Sequence, residues 1–333
     1  MPHCLVNQEF LDRYGTRFAA LCRQHALDLE PLALPHDPHA RLDAATLDQI
    51  EVACFTGAFD DDAVFTRRFL GSLLHAPRLR WFHLPNAGVD DPVFGRFLER
   101  GVRLTTSSGA TAEPIAHSAI AGLLALARGC PHWWAAQRRH QWAPLSRAGI
   151  VPRDLRGQVM VVVGLGAIGT AIARLGQALG LHVVGLRRRP CAADDPVDEW
   201  HTPAALAAVL PRADWLVLAC PLTAATRGMI DAAALAGLPA RAHLINVARG
   251  QLVDEEALIA ALRARRLAGA YLDVFHTEPL PPDSPLWDFP SVLISPHDSS
   301  ASDGNAARVG ELFLRNLEHY ARGEALENEV RDR

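Results

Sequence analysis

The sequence predicts an α/β protein whose parallel sheets are covered by helices on both faces. Three observations predict this class. Short apolar strands alternate with helical patterns along the chain, one strand at 159–163 is apolar throughout, and the later strands end in polar residues. A continuous apolar strand is typical of a parallel sheet that is buried on both faces. With 333 residues, 49% of them hydrophobic, the chain has room for two domains.

The strand at 159–163 runs into a glycine-rich turn and then into an Ala-rich helix predicted over 170–179. The turn reads Gly164-Leu165-Gly166-Ala167-Ile168-Gly169. Gly164 permits a tight turn, Gly166 lets the backbone approach a pyrophosphate, and Gly169 lets the helix lie close to the strand. A second strand at 182–186 completes a βαβ unit, so we predict that a dinucleotide binds at the helix N-terminus. The alternative is that these glycines serve only a close contact between helix and strand.

The residues after this second strand bear on which dinucleotide binds. An acidic residue there would take the ribose hydroxyls of NAD, whereas this chain has Arg187-Arg188-Arg189-Pro190. Guanidinium groups match a 2′-phosphate, which favours NADP(H) over NAD(H). The alternative is an exposed arginine run, because all 33 basic residues of the chain are Arg. The lack of Lys excludes a P-loop lysine, a Schiff-base lysine and a lysine general base.

The composition indicates a soluble globular protein. The formal charge of −4 suggests neither a nucleic-acid nor a membrane partner, and no apolar segment is long enough to span a bilayer. The six Cys residues form no CxxC pair and show no metal-ligand spacing, so we expect reduced thiols and no metal. The first residues do not follow a signal-peptide pattern. We therefore expect a cytoplasmic protein.

Residues 1–104 predict a small parallel α/β domain of their own. Strands are predicted at 4–6, 52–55, 81–84 and 102–105, with helices at 9–24 and 65–75 between them. The third strand is followed by Pro85-Asn86-Ala87-Gly88-Val89-Asp90, a turn of small residues whose amides could receive an anion. An ordinary strand-to-helix loop explains the same residues equally well. Helices predicted at 112–128 and 306–322 would connect the domains and return the chain to the first one.

The segment 130–144 combines aromatic and basic residues. Trp133, Trp134 and Trp142 lie there among two arginines and a histidine. Trp and Arg are enriched at subunit interfaces, so this segment could form one. A place in the core or at its rim explains the same composition.

Three residues of the second half follow strand ends, where ligands bind in open α/β sheets. Strands are predicted at 214–219, 243–247, 270–275 and 292–295, and Arg249, Glu278 and His297 follow the last three. Arg249 could hold a carboxylate, and His297 could exchange a proton near neutral pH while Glu278 favours its charged form. Beside a nicotinamide, this set fits reduction of a 2-keto acid and the reverse oxidation. Taken singly, the three could be a surface charge, a solvated acid and a structural histidine.

These motifs resemble those of the D-isomer-specific 2-hydroxyacid dehydrogenases over nearly the whole chain. The most specific are 163–169, 246–255, 272–275 with 278–280, and 295–297. The resemblance implies that Arg249, Glu278 and His297 are catalytic. It also implies a loop that holds the substrate carboxylate through backbone amides, formed by Asn86, Ala87, Gly88 and Val89. Further residues would line the nicotinamide half of the cofactor: Pro221, Leu222, Thr226, Ala248 and Asp273. Val247 would also contact the cofactor.

The same resemblance implies two Rossmann-like or flavodoxin-like domains with the active site in the cleft between them. The substrate domain would comprise 1–104 and 297–333, and the dinucleotide-binding domain, 105–296, would be inserted in it. A homodimer built mainly through the dinucleotide-binding domains is also implied. Small substrates such as glyoxylate or hydroxypyruvate are favoured by analogy.

The chain departs from the family pattern at a few positions. His117 stands where Glu is common, and Asp298 and Ser299 follow His297 where many members have an apolar residue and then Ala or Ser. A carboxylate beside His297 could bias its protonation or the choice of substrate. The arginine run resembles the NADP-preferring reductases of the family. Two other functions stay open: a dinucleotide-sensing binding protein, as in the co-repressors that share the fold, and a Rossmann methyltransferase, which the later motifs disfavour.

Overall fold

The chain folds into two units, each built on one parallel sheet. The computed structural model describes residues 1–57, 62–89, 91–192 and 194–330. One unit comprises Met1–Thr111 with Ser302–Arg333, and the other comprises Ala112–Ala301. Every pairing between the described strands is parallel. The prediction of two parallel-sheet α/β domains is therefore confirmed.

The smaller unit has a five-stranded sheet in the order β2-β1-β3-β4-β5. Its strands are β1 (His3–Val6), β2 (Glu30–Ala33), β3 (Ile50–Cys54), β4 (Trp81–His83) and β5 (Arg103–Thr105). Its first helices are α1 (Gln8–Gln24), α2 (Ala44–Leu47), α3 (Ala63–Leu74) and α4 (Pro92–Glu99). The sequence did not predict β2, whose Glu30 and Pro31 are atypical of a strand. Such residues are tolerated because β2 lies at the sheet edge, where a missing N–H donor costs little.

The larger unit has a seven-stranded sheet in the order β12-β11-β10-β9-β6-β7-β8. Its strands are β6 (Val159–Val163), β7 (His182–Leu186), β8 (Glu199–His201), β9 (Trp215–Leu218), β10 (His243–Asn246), β11 (Gly269–Leu272) and β12 (Val292–Ile294). Its helices are α5 (Ala112–Ala127), α6 (Cys130–Arg138), α7 (Ala167–Ala178), α8 (Leu206–Val209), α9 (Ala232–Gly237) and α10 (Glu255–Arg263). The strand order reverses between β6 and β9, and ligands bind at the carboxyl ends of strands at such a point.

The last helix, α11 (Asn305–Ala321), packs in the smaller unit. Its Phe313 is fully buried and lies 5.0 Å from Trp81 of β4, measured between ring centroids. Burying one such aromatic side chain contributes roughly 1.5–3 kcal/mol. The chain therefore enters this unit twice, once through its first 111 residues and once through α11.

Apolar residues fill both faces of the larger sheet, as the uninterrupted apolar strands predict. Met160, Val161 and Val162 of β6 are fully buried, and alternate residues join two separate hydrophobic clusters. The predicted limits of β6 and β7 agree with the structure. Among the described residues, no helix combines the length and apolar character needed to cross a bilayer.

Candidate active site

The glycine turn after β6 shows which glycines the protein itself requires. Gly164 has a φ of +98°, and a Cβ there would lie 2.7 Å from the Cα of Cys220. A Cβ on Gly169 would collide with the carbonyl oxygen of Gly164. A Cβ on Gly166, by contrast, would meet nothing within 4 Å, and its φ of −84° is open to other residues. Packing therefore explains Gly164 and Gly169, while Gly166 leaves space that suits the close approach of a ligand.

The N-terminus of α7 lies beside this space. Gly166 is the N-cap, and the first intrahelical bond runs from Thr170 N to Gly166 O at 2.9 Å. The amides of Ala167, Ile168 and Gly169 precede that donor, so they belong to the first turn, whose N–H groups have no intrahelical acceptor. Such amides carry partial positive charge and bind phosphate groups. The turn therefore fits the pyrophosphate of a dinucleotide.

The structure separates the three arginines that follow β7. The guanidinium of Arg187 donates to Arg189 O at 3.0 Å, to Pro190 O at 2.6 Å and to Asp195 Oδ2 at 2.7 Å. Asp195 also accepts from Ala192 N at 2.7 Å. Arg187 is thus used to fold its own loop, whereas Arg188 and Arg189 are exposed. The sequence did not distinguish these roles, because the partner of Arg187 lies eight residues further on.

Three neighbouring strands bring the predicted catalytic set together. The sheet places β10, β11 and β12 side by side, and Arg249, Glu278 and His297 follow their carboxyl ends. His297 Nδ1 lies 2.7 Å from Glu278 Oε2. The other oxygen, Glu278 Oε1, accepts from Phe275 N at 2.8 Å, which fixes the carboxylate plane. The side chains of His297 and Glu278 remain 46% and 35% exposed, so both can meet a ligand.

The electrostatics of this set favour a charged histidine. The hydrogen bond to Glu278 raises the pKa of His297; burial and the Arg249 charge oppose the rise, and the Glu278 and Asp273 charges support it. Burial would raise the pKa of Glu278, but bonds from His297 and Phe275 N, with the His297 and Arg249 charges, hold it below its usual value. The two shifts are complementary, because each partner stabilises the charged form of the other.

Asn246, at the end of β10, shapes the backbone that carries Arg249. Its side chain donates through Nδ2 to Arg249 O at 2.9 Å and accepts through Oδ1 from Ala248 N at 3.1 Å. Asn246 is 1% exposed. Sequence reasoning did not assign it a role. The sequence feature that could have indicated this role is a polar residue at the end of a buried strand. A buried amide needs hydrogen-bond partners nearby, so it commonly organises the adjacent turn.

The remaining predicted cofactor residues lie at the ends of β9, β10 and β11. Thr226 Oγ1 donates to Pro221 O at 2.8 Å and accepts from Thr223 N at 2.8 Å, so it closes the turn after β9. Leu222 is half-buried in this turn, and Val247 and Ala248 are buried after β10. Asp273, 1% exposed, accepts hydrogen bonds from the segment around His297. His117 is exposed on α5.

The predicted substrate loop belongs to the smaller unit, after β4. Asn86 and Ala87 are exposed, Gly88 and Val89 are half-buried, and Asp90 lies outside the described residues. Asn86 O accepts from Ser107 N at 2.9 Å, which joins the loop to the segment after β5.

A directional chain of hydrogen bonds lies beneath this loop, centred on the fully buried His83. Trp81 Nε1 donates to Thr105 Oγ1 at 2.8 Å, and that hydroxyl lies 2.7 Å from His83 Nδ1. Ser107 Oγ donates to Leu84 O at 2.7 Å and lies 3.1 Å from His83 Nε2. The Ser107 hydrogen is committed to Leu84, so His83 Nε2 is the donor and Nδ1 accepts from Thr105. A neutral imidazole with the proton on Nε2 satisfies this chain.

A glycine turn for a dinucleotide and an Arg, Glu and His set at adjacent strand ends define a nicotinamide-dependent oxidoreductase. Residues 120–299 match the model of the D-isomer specific 2-hydroxyacid dehydrogenase NAD binding domain. The chain belongs to this family, so it is an NAD(P)-dependent oxidoreductase of 2-hydroxy and 2-keto acids.

Two relatives and one solved structure illustrate the similarity. A glyoxylate reductase of Korarchaeum cryptofilum is 34% identical over 262 residues, which are 77% of each chain. A glyoxylate/hydroxypyruvate reductase B of Pectobacterium carotovorum is 31% identical over 311 residues, 92% of this chain and 96% of the relative. A D-isomer specific 2-hydroxyacid dehydrogenase from Xanthobacter autotrophicus, solved in complex with NADPH and MES, superposes with a TM-score of 0.76 at 30% identity, covering 99% of this chain and 98% of that one.

Proposed function

We propose that the protein reduces a small 2-keto acid to the 2-hydroxy acid with NADPH, and that glyoxylate or hydroxypyruvate is the substrate. The observation that carries this proposal is the 2.7 Å contact between His297 Nδ1 and Glu278 Oε2. The names of the two reductase relatives support the choice of substrates.

His297 is the proposed general acid. Its Nδ1 is held by Glu278, which leaves Nε2 to donate a proton to the substrate carbonyl oxygen. When bound, the reduced nicotinamide supplies the hydride that the carbonyl carbon receives. In the reverse reaction the neutral imidazole accepts the hydroxyl proton. Glu278 orients the ring and keeps it charged, as the raised pKa of His297 indicates.

Arg249 is the proposed binding group for the substrate. Its planar guanidinium matches a carboxylate and can also polarise the neighbouring carbonyl oxygen. The backbone amides of Asn86, Ala87, Gly88 and Val89 are proposed to bind a substrate carboxylate. We expect Arg249→Ala to raise KM more than His297→Ala does, because it removes a binding group rather than the acid.

The residues that would hold the cofactor fit its chemistry. Gly166 and the first-turn amides of α7 suit the pyrophosphate, since the open side of Gly166 and the helix N-terminus coincide. The nicotinamide half is proposed to lie against residues at the ends of β9 to β11: Pro221, Leu222, Thr226, Val247, Ala248 and Asp273.

Preference for NADPH is proposed to rest on Arg188, with Arg189 beside it, because Arg187 is engaged with its own loop. The Xanthobacter relative was solved with NADPH. Arg188→Ala should lower kcat/KM for NADPH about tenfold or more, the effect of losing a charged hydrogen bond, with little change for NADH. Arg266→Ala, an exposed arginine after α10, is the matched control. Equal losses with both cofactors would remove Arg188 as a 2′-phosphate ligand.

The decisive experiment follows absorbance of the reduced nicotinamide while the protein is mixed with glyoxylate, hydroxypyruvate, pyruvate or phenylpyruvate and either NADPH or NADH. Oxidation of NADPH faster than of NADH with glyoxylate or hydroxypyruvate supports the proposal. Dinucleotide binding without turnover of any acid would instead support a sensing role. Faster turnover with NADH would contradict the cofactor preference.

We also propose that the protein is a homodimer that pairs through the larger unit. Exposed large apolar side chains occur in this unit, with Trp142 90%, Val151 84%, Trp134 46% and Trp133 42% exposed. Trp is enriched at subunit interfaces, which favours this segment as the contact. Sedimentation of the wild-type chain should give twice the monomer mass, and Trp142→Ser with Val151→Ser should shift it towards the monomer. A monomeric wild-type protein would contradict the proposal.

A further inference from the structure

The segment that carries His297 has an unusual backbone. His297 has a φ of +56°, in the left-handed region that side chains other than Gly rarely adopt. A residue keeps such a conformation only when its surroundings determine it. The direction of the imidazole ring therefore depends on the contacts that hold 295–299.

Those contacts converge on one buried residue, Asp273. Its backbone carbonyl accepts from His297 N at 2.8 Å. Its Oδ1 accepts from Ser295 Oγ at 2.6 Å, Asp298 N at 3.1 Å and Ser299 N at 3.0 Å. Its Oδ2 accepts a short hydrogen bond from Ser299 Oγ. A single residue thus binds groups on both sides of His297 as well as the backbone of His297 itself.

A second layer ties this cluster to the rest of the unit. Ser295 Oγ gives its hydrogen to Asp273 and lies 2.8 Å from the hydroxyl of Tyr271 in β11, which is then the donor. Ser118 Oγ of α5 donates to Ser299 O at 2.9 Å. α5 also lies against Tyr271, because a Cβ on Gly122 would come within 2.5 Å of that ring. The loop is therefore held from the strand below it and from a neighbouring helix.

We propose that Ser299 and Asp273 are positioning residues for His297: the Ser299 hydroxyl and the Asp273 carboxylate fix the left-handed turn that aims the imidazole at Glu278 and the substrate. This inference rests on the proposed acid role of His297. Ser299 contributes a side-chain contact that an alanine at this position cannot make. Asp273, expected to line the nicotinamide, has both carboxylate oxygens engaged by this turn.

Ser299→Ala is the diagnostic variant, because it removes one oxygen and no charge. We expect kcat to fall about 10-fold, less than the about 100-fold that a displacement of about 1 Å can cost. The falling limb of the pH profile should move to lower pH, since a loosened His297–Glu278 bond raises the pKa of His297 less. The Kd for NADPH, measured by fluorescence, should change less than about twofold, because Ser299 is not one of the proposed cofactor residues.

Asp273→Asn is the second variant, and it should lower kcat further because an amide cannot accept on both sides. This substitution also removes the negative charge that helps to raise the pKa of His297, so its effect combines lost hydrogen bonds with lost charge.

Asp214→Asn is the matched control. Asp214 is also a buried carboxylate of this unit, but it precedes β9, at the amino ends of the strands, and binds Arg153 and Arg241. The Asp214→Asn substitution should lower the Tm by about 2–4 °C for each kcal/mol of unfolding free energy lost, and it should leave kcat unchanged.

The test also measures the pKa of His297 directly, from the pH dependence of its ring NMR signals. A lower pKa in Ser299→Ala than in the wild type, with a normal value in Asp214→Asn, supports the proposal. An unchanged kcat and pKa in Ser299→Ala, or the same changes in Asp214→Asn, would overturn it. If the wild-type protein turns over no acid, the proposed function fails, but the NMR titration still decides whether Ser299 positions His297.

Discussion

Two histidines at the carboxyl ends of parallel strands have opposite electrostatic settings. His83 ends β4 in the smaller unit and is fully buried. Burial and the charge of Arg315 lower its pKa to about 3, although a backbone hydrogen bond to Val309 acts in the opposite direction. His297 follows β12 in the larger unit with its side chain 46% exposed, and its bond to Glu278 raises its pKa. Placement at a strand end is the same in both cases.

The two pKa values move in opposite directions because the two rings have different hydrogen-bond partners. Thr105 and Ser107 offer His83 neutral hydroxyls, which carry no charge to compensate a protonated ring. Glu278 offers His297 a carboxylate, which accepts a hydrogen bond from the ring N–H and compensates the positive charge of the imidazolium. A histidine at a strand end thus has its pKa lowered or raised according to what faces it.

The largest effect should come from replacing His297, the proposed general acid. His297→Ala is expected to lower kcat by about 10²–10⁴-fold, because it removes the general acid. The Kd for NADPH should stay near the wild-type value. His117→Ala, an exposed histidine on α5, is the control. Wild-type turnover in the His297 variant would exclude it as the acid and end the functional contrast with His83.

His83 should instead control stability in acid. Its pKa is about 3 in the folded state and near 6.5 in the unfolded chain, so only the unfolded chain binds the proton between these values. Its contribution to the free energy of unfolding is full above pH 6.5 and falls by up to about 1.4 kcal/mol per pH unit as the pH drops towards 3.

Urea unfolding between pH 4 and 7 measures this dependence. His83→Gln should be less stable at pH 7, because the Thr105 and Ser107 hydroxyls lose a matched partner, and its stability should change less with pH. A variant with the wild-type pH dependence would show that His83 is not the group that titrates.

Glu278→Gln should make His297 resemble an ordinary imidazole. The amide cannot compensate the positive charge, so the pKa of His297 should fall and the limb where kcat/KM declines should move to lower pH. Each unit of that fall lowers the charged fraction, and hence the reduction rate above the limb, about tenfold. A pH profile of kcat/KM from 5 to 9 measures this. An unmoved limb would assign it to another group.

The smallest effect should be on stability at the His297–Glu278 pair. The folded-state pKa of His297 is raised, so its contribution is full below its unfolded value and is lost as the pH rises through the folded value. The pair is partly exposed, and solvent screening limits this contribution to less than about 1 kcal/mol. The free energy of unfolding, measured for the wild type and Glu278→Gln at pH 6 and 9, should differ between the two proteins only at pH 6. The contribution of His297 thus falls as the pH rises, whereas that of His83 falls as the pH drops.

Much of the fold was predictable from local patterns. The apolar run of β6, the glycine turn and β7 have the predicted limits, because a strand buried on both faces shows an uninterrupted apolar run. The edge strands β2 and β8 were missed, since both contain polar residues and pair on one side only. The prediction that Arg187 belongs with Arg188 as a phosphate ligand stays untested, and its bonds to Arg189, Pro190 and Asp195 argue for a separate role.

The sequence by itself determined the class of fold and the residues at its strand ends, because hydrophobic period, glycine spacing and the polar residue after each strand are properties of adjacent positions. Only the tertiary structure decided what those residues do to one another. His83 meets Thr105 across 22 positions, and His297 meets Glu278 across 19. Burial and partner charge set the protonation of each histidine, and both come from segments that meet only when the sheets form.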